Sequence, residues 1–100
     1  MTQVLFRPAA IADIEEARGW YELQRPGLGQ AFLESVDSVV AAVLENRRMS
    51  PVLHRDTRRA LLRRFPFGLF YRLVEDRVVV VACLHAKRDP KTWRSRTRAA

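Results

Sequence analysis

Apolar side chains recur at helical spacing in the first half of the chain and at strand spacing in the second. From Ala9 to Gln24 they fall at Ala10, Ile14, Ala17 and Tyr21, with Ile11 and Trp20 beside the stripe. Steps of four, three and four put those positions on one face of a helix. Arg25-Pro26-Gly27 ends it, because proline cannot continue a helical ladder. The pattern resumes over Leu28–Arg48, at Leu28, Phe32, Ser35/Val36, Val39 and Val43. Arg47 and Arg48 close this second helix and complement the negative end of its dipole. The link between the two is so short that they should form an antiparallel hairpin.

Ahead of the hairpin, Gln3–Arg7 is apolar and short. Pro8 pushes Arg7 out of the α region, so this segment reads as a strand. After Pro51 the period shortens. Arg58–Phe65 alternates, with Ala60 and Leu62 to one side and Leu61 and Phe65 to the other. Leu69–Val74 and Val78–Leu84 are β-branched and aromatic around a Glu75-Asp76-Arg77 turn, which predicts a hairpin with Tyr71 on the same face as Leu69 and Leu73. Val78–Leu84 has no polar position and is expected to be a central strand buried on both faces. The predicted order is β-α-α-β-β-β, an α+β two-layer domain: an N-terminal strand, a helical hairpin, then a three-stranded antiparallel meander. The helices cover one sheet face. No further helices are predicted for the other, which is expected to be exposed or covered by a partner and lined by arginines of the last three strands. Residues 1–94 read as a single domain, and 95–100 as a basic, disordered tail continuing from Arg94 through Arg96 and Arg98.

Composition sharpens this picture. The chain has 100 residues, 48% of them apolar, enough for one core. No apolar run approaches the roughly 20 residues that span a bilayer, and the N-terminus has no basic stretch followed by an apolar block. The lone Cys83 permits no internal disulfide. These features point to the cytoplasm. The net charge is +7, but unevenly placed. Residues 1–50 carry five Arg against seven acids, whereas residues 51–100 carry thirteen basic residues against four acids. Sixteen of the eighteen basic residues are Arg, whose planar fork grips phosphates and carboxylates bidentately. The second half is therefore expected to face something anionic, either nucleic acid or an acidic protein segment.

One combination of motifs is specific. Asp13-Ile-Glu-Glu-Ala17, Trp20-Tyr21, Pro26-Gly-Leu-Gly29 and Phe32 are followed by Pro51, Arg58-Arg59, Leu62, Arg64-Phe65-Pro66-Phe67 and Tyr71. An apolar strand then runs into His85, and Arg88-Asp89-Pro90 and Trp93 complete the set. Over residues 3–94 this order resembles toxins of the RelE/ParE superfamily, and ParE-like members in particular. The resemblance implies the poison half of a type II toxin–antitoxin pair, tied to growth arrest and plasmid stabilization. It implies a small cognate antitoxin whose C-terminal segment wraps the toxin, expected to be acidic to complement the basic half-chain, and contact with operator DNA through the antitoxin only. Two activities occur on this fold: inhibition of DNA gyrase, and ribosome-dependent cleavage of mRNA. An inactive family member is a third possibility.

Metal-free RNA cleavage needs a base, an acid and cations on the phosphate. Arg58, Arg59, Arg63, Arg64, Arg72 and Arg88 offer the cations. His85 offers an acid or base with an ordinary pKa of about 6.5. As a ribonuclease the chain would use His85, Arg64 and Arg88. However, no Tyr follows His85, and no carboxylate lies on Arg58–Phe65; Asp56 precedes it. The weight therefore falls on the gyrase-binding class, with Arg58, Arg59, Arg63, Arg64, Arg72, Arg88 and Trp93 as the surface for target or antitoxin. The competing assignments are structural: His85 as a strand cap, Trp20 and Tyr71 as packing, Cys83 as an inert buried thiol, Asp89 as a turn residue held by an Arg, and Trp93 packing the tail on the sheet. No cofactor is implied. His54, His85 and Cys83 are too scattered for a metal site, and Pro26-Gly-Leu-Gly29 merely joins helices.

Overall fold

The computed structural model describes residues 3–98. Strand β1 (Gln3–Phe6) leads into helix α1 (Pro8–Gln24) and helix α2 (Leu28–Glu45). Strands β2 (Val52–His54), β3 (Thr57–Leu61), β4 (Phe67–Val74) and β5 (Arg77–His85) follow, then a short helix α3 (Pro90–Arg94) and a 3-10 turn over Ser95–Arg98. Proline at the first position of α1 costs no helical hydrogen bond, and Arg7 before it stays extended (φ −70°, ψ 151°). Between the helices, Gly27 turns the chain at φ 90°. The Glu22 carboxylate accepts the N–H groups of Gly27 and Gly29 at 3.0–3.2 Å, which places a negative charge on the α2 N-terminus. A Cβ on Gly29 would sit 2.9 Å from the Arg18 carbonyl oxygen, so only glycine lets the helices approach this closely. α2 ends at Glu45, which leaves Arg47 and Arg48 in the following loop instead of the last helical turn.

The five strands form one sheet in the order β1-β5-β4-β3-β2, with β1 parallel to β5 and the other pairs antiparallel. The α+β class, the helical hairpin and the central position of Val78–Leu84 are as expected. β2 is the addition; at three residues it is too short for alternation to show. The expected strand over Arg58–Phe65 stops at Leu61. Residues 62–66 then form a loop with Arg64 at φ 72°, which turns both Leu62 and Phe65 into the core under the helices. That core joins Ala10, Ile14 and Ala17 of α1 and Phe32, Val36, Val39 and Val43 of α2 to Leu69, Tyr71, Val78, Val80 and Cys83. Phe32, Leu69, Tyr71 and Val80 are completely excluded from solvent (0% exposed).

A bulge opposite Phe70/Tyr71 breaks the alternation of β5. Val81 and Ala82 both face away from the helices, so Cys83, and His85 paired with Phe67, return to the helical side. The far face is not left bare. α3 folds across it, and Trp93 closes a second small core with Phe70, Val79, Val81, Ala82 and Leu84. Residues 95–98, expected as part of a disordered tail, form the 3-10 turn, with Thr97 buried. β1 ends at Phe6, so β5 has no strand on its β1 side beyond Val80, where the Arg7 N–H makes the last ladder bond (3.0 Å). Asp13 accepts the Cys83 N–H (3.0 Å), and Arg96 donates to the Val81 carbonyl (3.2 Å). Arg96 also pairs with Asp13 at 2.5 and 3.3 Å. Buried backbone groups demand partners, and this ion pair supplies them. Ala99 and Ala100 lie outside the described residues. No helix among the described residues is long and apolar enough to cross a membrane.

Candidate functional site

The structure separates the arginines that the sequence grouped. Arg58 lies on the helical side of β3 opposite Tyr71, and its Nη1 donates to the carbonyls of Arg48 (3.0 Å) and Ser50 (2.6 Å). The Tyr71 hydroxyl donates to the Arg47 carbonyl at 2.9 Å, so both residues pin the loop that follows α2. Arg59 points to the other face beside Phe70, with its stem across Gly68; a Cβ there would meet Arg59 Cδ at 2.8 Å. Arg72 shares that face and grips Asp56 bidentately at 2.9 and 3.0 Å. The guanidinium holds the Asp56 carboxyl below its ordinary range. Arg63 and Arg64 are exposed in the loop after β3, where the Arg63 carbonyl accepts the Ser35 hydroxyl (2.7 Å). Trp93, expected to meet a target or antitoxin, is 6% exposed and stacks on Phe70 with ring centres 4.8 Å apart. Asp89 caps α3 by accepting the Lys91 N–H (2.9 Å), a role different from the pairing with Arg expected of it.

His85 and Arg88 do come together. With Asp13, Glu16, Ala17, Trp20 and Tyr21 of α1, and with Pro66, Phe67, Cys83 and Leu84, they line a cleft of about 530 Å³ between α1 and the end of the β4–β5 hairpin. Its walls are mainly apolar, with Asp13, Glu16, His85 and Arg88 as polar groups, the composition of a site for an apolar ligand or side chain. Trp20 is 57% exposed, although its neighbours on α1 belong to the core. The His85 ring meets Phe67 edge-on at 5.4 Å, and its Nδ1 accepts the Lys87 N–H at 3.0 Å. With Nδ1 accepting this bond, Nε2 is the ring nitrogen that bears a proton. In that tautomer the atom left to meet a ligand is a donor, poorly suited to act as a base. Burial, reinforced by the Asp13 charge, pushes the Cys83 thiol up to about 12, so it is no nucleophile. Tyr21, also in the wall, is raised by burial. Sequence reasoning missed Trp20, Phe67 and Glu16 as lining residues. The one available signal was Trp20, which lies beside the apolar stripe of α1 and not on it.

A helical hairpin packed on a five-stranded sheet, with dispersed arginines and an apolar cleft, defines a small α+β domain built around surfaces. Solved structures share this fold. A chain of the chromosomal ParDE TA system from P. aeruginosa superposes with a TM-score of 0.66 at 18% identity, covering 85% of this chain and 96% of that one. A chain of the intact E. coli RelBE toxin-antitoxin complex gives 0.66 at 20% identity, covering 86% and 98%. The isolated E. coli RelE toxin gives 0.64 at 18% identity, covering 98% of both chains. No curated protein sequence matches. The fold is thus that of the RelE/ParE toxins. Residues 4–90 match the family described as ParE toxin of type II toxin-antitoxin system, parDE, and the chain belongs to that family.

Proposed function

We propose that this toxin acts in the cytoplasm, is neutralised by a cognate antitoxin, and arrests growth by binding DNA gyrase, without cutting RNA. The observation that carries this reading is the dispersal of the chemistry. RNA cleavage needs its base, acid and phosphate-binding cations within reach of one scissile bond. Here His85 shares its cleft with Arg88 alone among the arginines, while Arg59 and Arg72 face the other side of the sheet. Arg58 and Arg72 are already engaged, by loop carbonyls and by Asp56. His85 Nδ1 is occupied by backbone. A protein target asks only for surface, and the cleft beside Trp20 and the exposed Arg63, Arg64 and Arg88 supply it. The antitoxin is supported by the family and by the +7 charge, which an acidic segment would complement.

Induced expression of the chain alone, followed by assays of DNA and mRNA integrity, tests the target. Gyrase-dependent DNA breaks with intact mRNA are expected, and His85→Ala should weaken them by less than about tenfold, through binding at the cleft, because no proton transfer depends on it. Ribosome-dependent mRNA cleavage that His85→Ala abolishes would overturn the reading. Co-expression with the product of the adjacent gene should restore growth.

A further inference from the structure

α3 covers only part of the far sheet face. The uncovered part, next to β1, is a second cleft of about 460 Å³. Registers across β1, β5 and β4 place Leu5, Val79 and Arg72 in one row, and Gln3, Arg77 and Val74 in the next. Arg7 closes the end of the cleft, where the chain passes from β1 into α1. Leu5, Val74 and Val79 thus make an apolar floor between Arg7, Arg72 and Arg77. No carboxylate lines the cleft; Asp56 is held by Arg72, and Glu75 and Asp76 of the adjoining turn form no ion pair among the described residues. Neither Arg7 nor Arg77 has a carboxylate partner among the described residues. Arg7 Nε is moreover buried with no hydrogen-bond acceptor. Native structures seldom leave a buried donor unsatisfied, because burying it without a partner forfeits its hydration.

We propose that this cleft binds a protein partner's segment in which a carboxylate is flanked by apolar side chains. The carboxylate accepts from Arg7, with Arg77 as the second cation, and the flanking groups lie on Leu5, Val74 and Val79. Guanidinium forks recognise carboxylates bidentately. The apolar floor is what favours a peptide: a nucleic-acid backbone offers phosphate and sugar, which gain little from three aliphatic side chains. The site is distinct from the His85 cleft, on the opposite face of the sheet. The proposal rests on the partner-bound toxin above only in requiring that a protein partner exists.

The test is fluorescence anisotropy on the full chain with a labelled synthetic peptide alternating Glu and Leu. Controls are the same peptide with Gln for Glu, and a single-stranded oligonucleotide as competitor. The acidic peptide should bind at least about tenfold more tightly than the Gln peptide, and Arg77→Gln and Arg7→Gln should each weaken it about tenfold, as for loss of a charge-assisted pair. Arg18→Gln, on the outer side of α1, should change it less than about twofold. Arg77 sits at a strand end, so its variant keeps the test decisive even where Arg7→Gln perturbs folding. No binding at about millimolar peptide, affinity indifferent to Arg77, or displacement by the oligonucleotide in an Arg77-dependent manner would overturn the proposal. Co-purification of the adjacent gene's product tests the antitoxin reading separately. Its absence leaves a positive peptide result standing, whereas a partner that binds the Arg77→Gln chain undiminished counts against the cleft alone.

Discussion

Breaking the Asp13–Arg96 pair is expected to cost about 2 kcal/mol and to loosen the C-terminal turn from the sheet. The side chains are only 13% and 24% exposed, and the guanidinium sits 2.5 and 3.3 Å from the two carboxylate oxygens. At an effective dielectric constant of about 20, unit charges roughly 4 Å apart attract by about 4 kcal/mol. Desolvation returns part of this, and fully buried pairs lose about 3–5 kcal/mol when one partner is removed. A half-buried pair belongs below that range and above the roughly 0–1 kcal/mol of exposed pairs. The assay is urea unfolding of Asp13→Asn, Arg96→Met and the double variant, read as a double-mutant cycle. Asn keeps an acceptor for the Cys83 N–H, so the cycle isolates the charge pair. With an m-value of about 1–3 kcal/mol/M, Arg96→Met should lower the urea midpoint by about 1 M. A coupling energy below about 0.5 kcal/mol would refute the reasoning, since the pair would then behave as a solvated surface contact.

Four further outcomes follow from buried groups and one ion pair. Cys83 should resist thiol reagents at pH 8 until the chain unfolds, because its pKa stands at about 12; labelling at the rate of a free cysteine would contradict this. The same shift has a sign in stability: the unfolded thiol ionises from its ordinary 9.0 while the native one stays protonated, so stability should fall as pH rises from 9 toward 12. Cys83→Ala should remove that part of the decline, and identical alkaline profiles for the two chains would contradict the linkage. Asp56 has a lowered pKa, chiefly through its hydrogen bond to Arg72, so its stabilisation is complete above its ordinary 3.8 and disappears as pH falls through the depressed folded value. Arg72→Gln should flatten that acid limb, and an unchanged acid titration of stability would argue against it. Thr57 is fully buried, with an Oγ1 that finds no hydrogen-bond partner among the described residues. Thr57→Val keeps the shape, removes the unsatisfied hydroxyl, and should stabilise by about 1 kcal/mol in thermal or urea unfolding; a loss of that size would mean the hydroxyl is bonded.

Much of the fold was legible because it rests on local regularities. The stripe Ala10, Ile14, Ala17 is buried as the helical period demands, and so is Phe32, Ser35/Val36, Val39, Val43. The unbroken run Val78–Leu84 announced a central strand, and the structure buries all seven residues. The misplaced pieces are those in which periodicity yields to a long-range demand. Phe65 breaks the alternation expected of it because the chain leaves the sheet after Leu61. Arg96 belongs to no local pattern, and its partner lies 83 residues away. The His85 cleft was half visible: His85 and Arg88 were singled out, but the α1 wall that completes it is more than sixty positions distant in the chain.

By itself the sequence determined the helical hairpin, the β4–β5 hairpin and the family, because helix and strand periods, proline stops and glycine turns act within a few residues; β2 and α3 escaped it. Tertiary structure alone decided which face each arginine serves. One extra residue in β5 opposite Phe70/Tyr71 reverses the alternation and carries Cys83 and His85 back under the helices. No composition or spacing records that slip, because its physical cause is the pairing of β5 with β4. The early end of β1 likewise created unpaired backbone groups that Asp13 and Arg96 came to satisfy. An arginine that reads as a solvated tail residue in isolation thus becomes a fastener of the sheet edge once the chain folds.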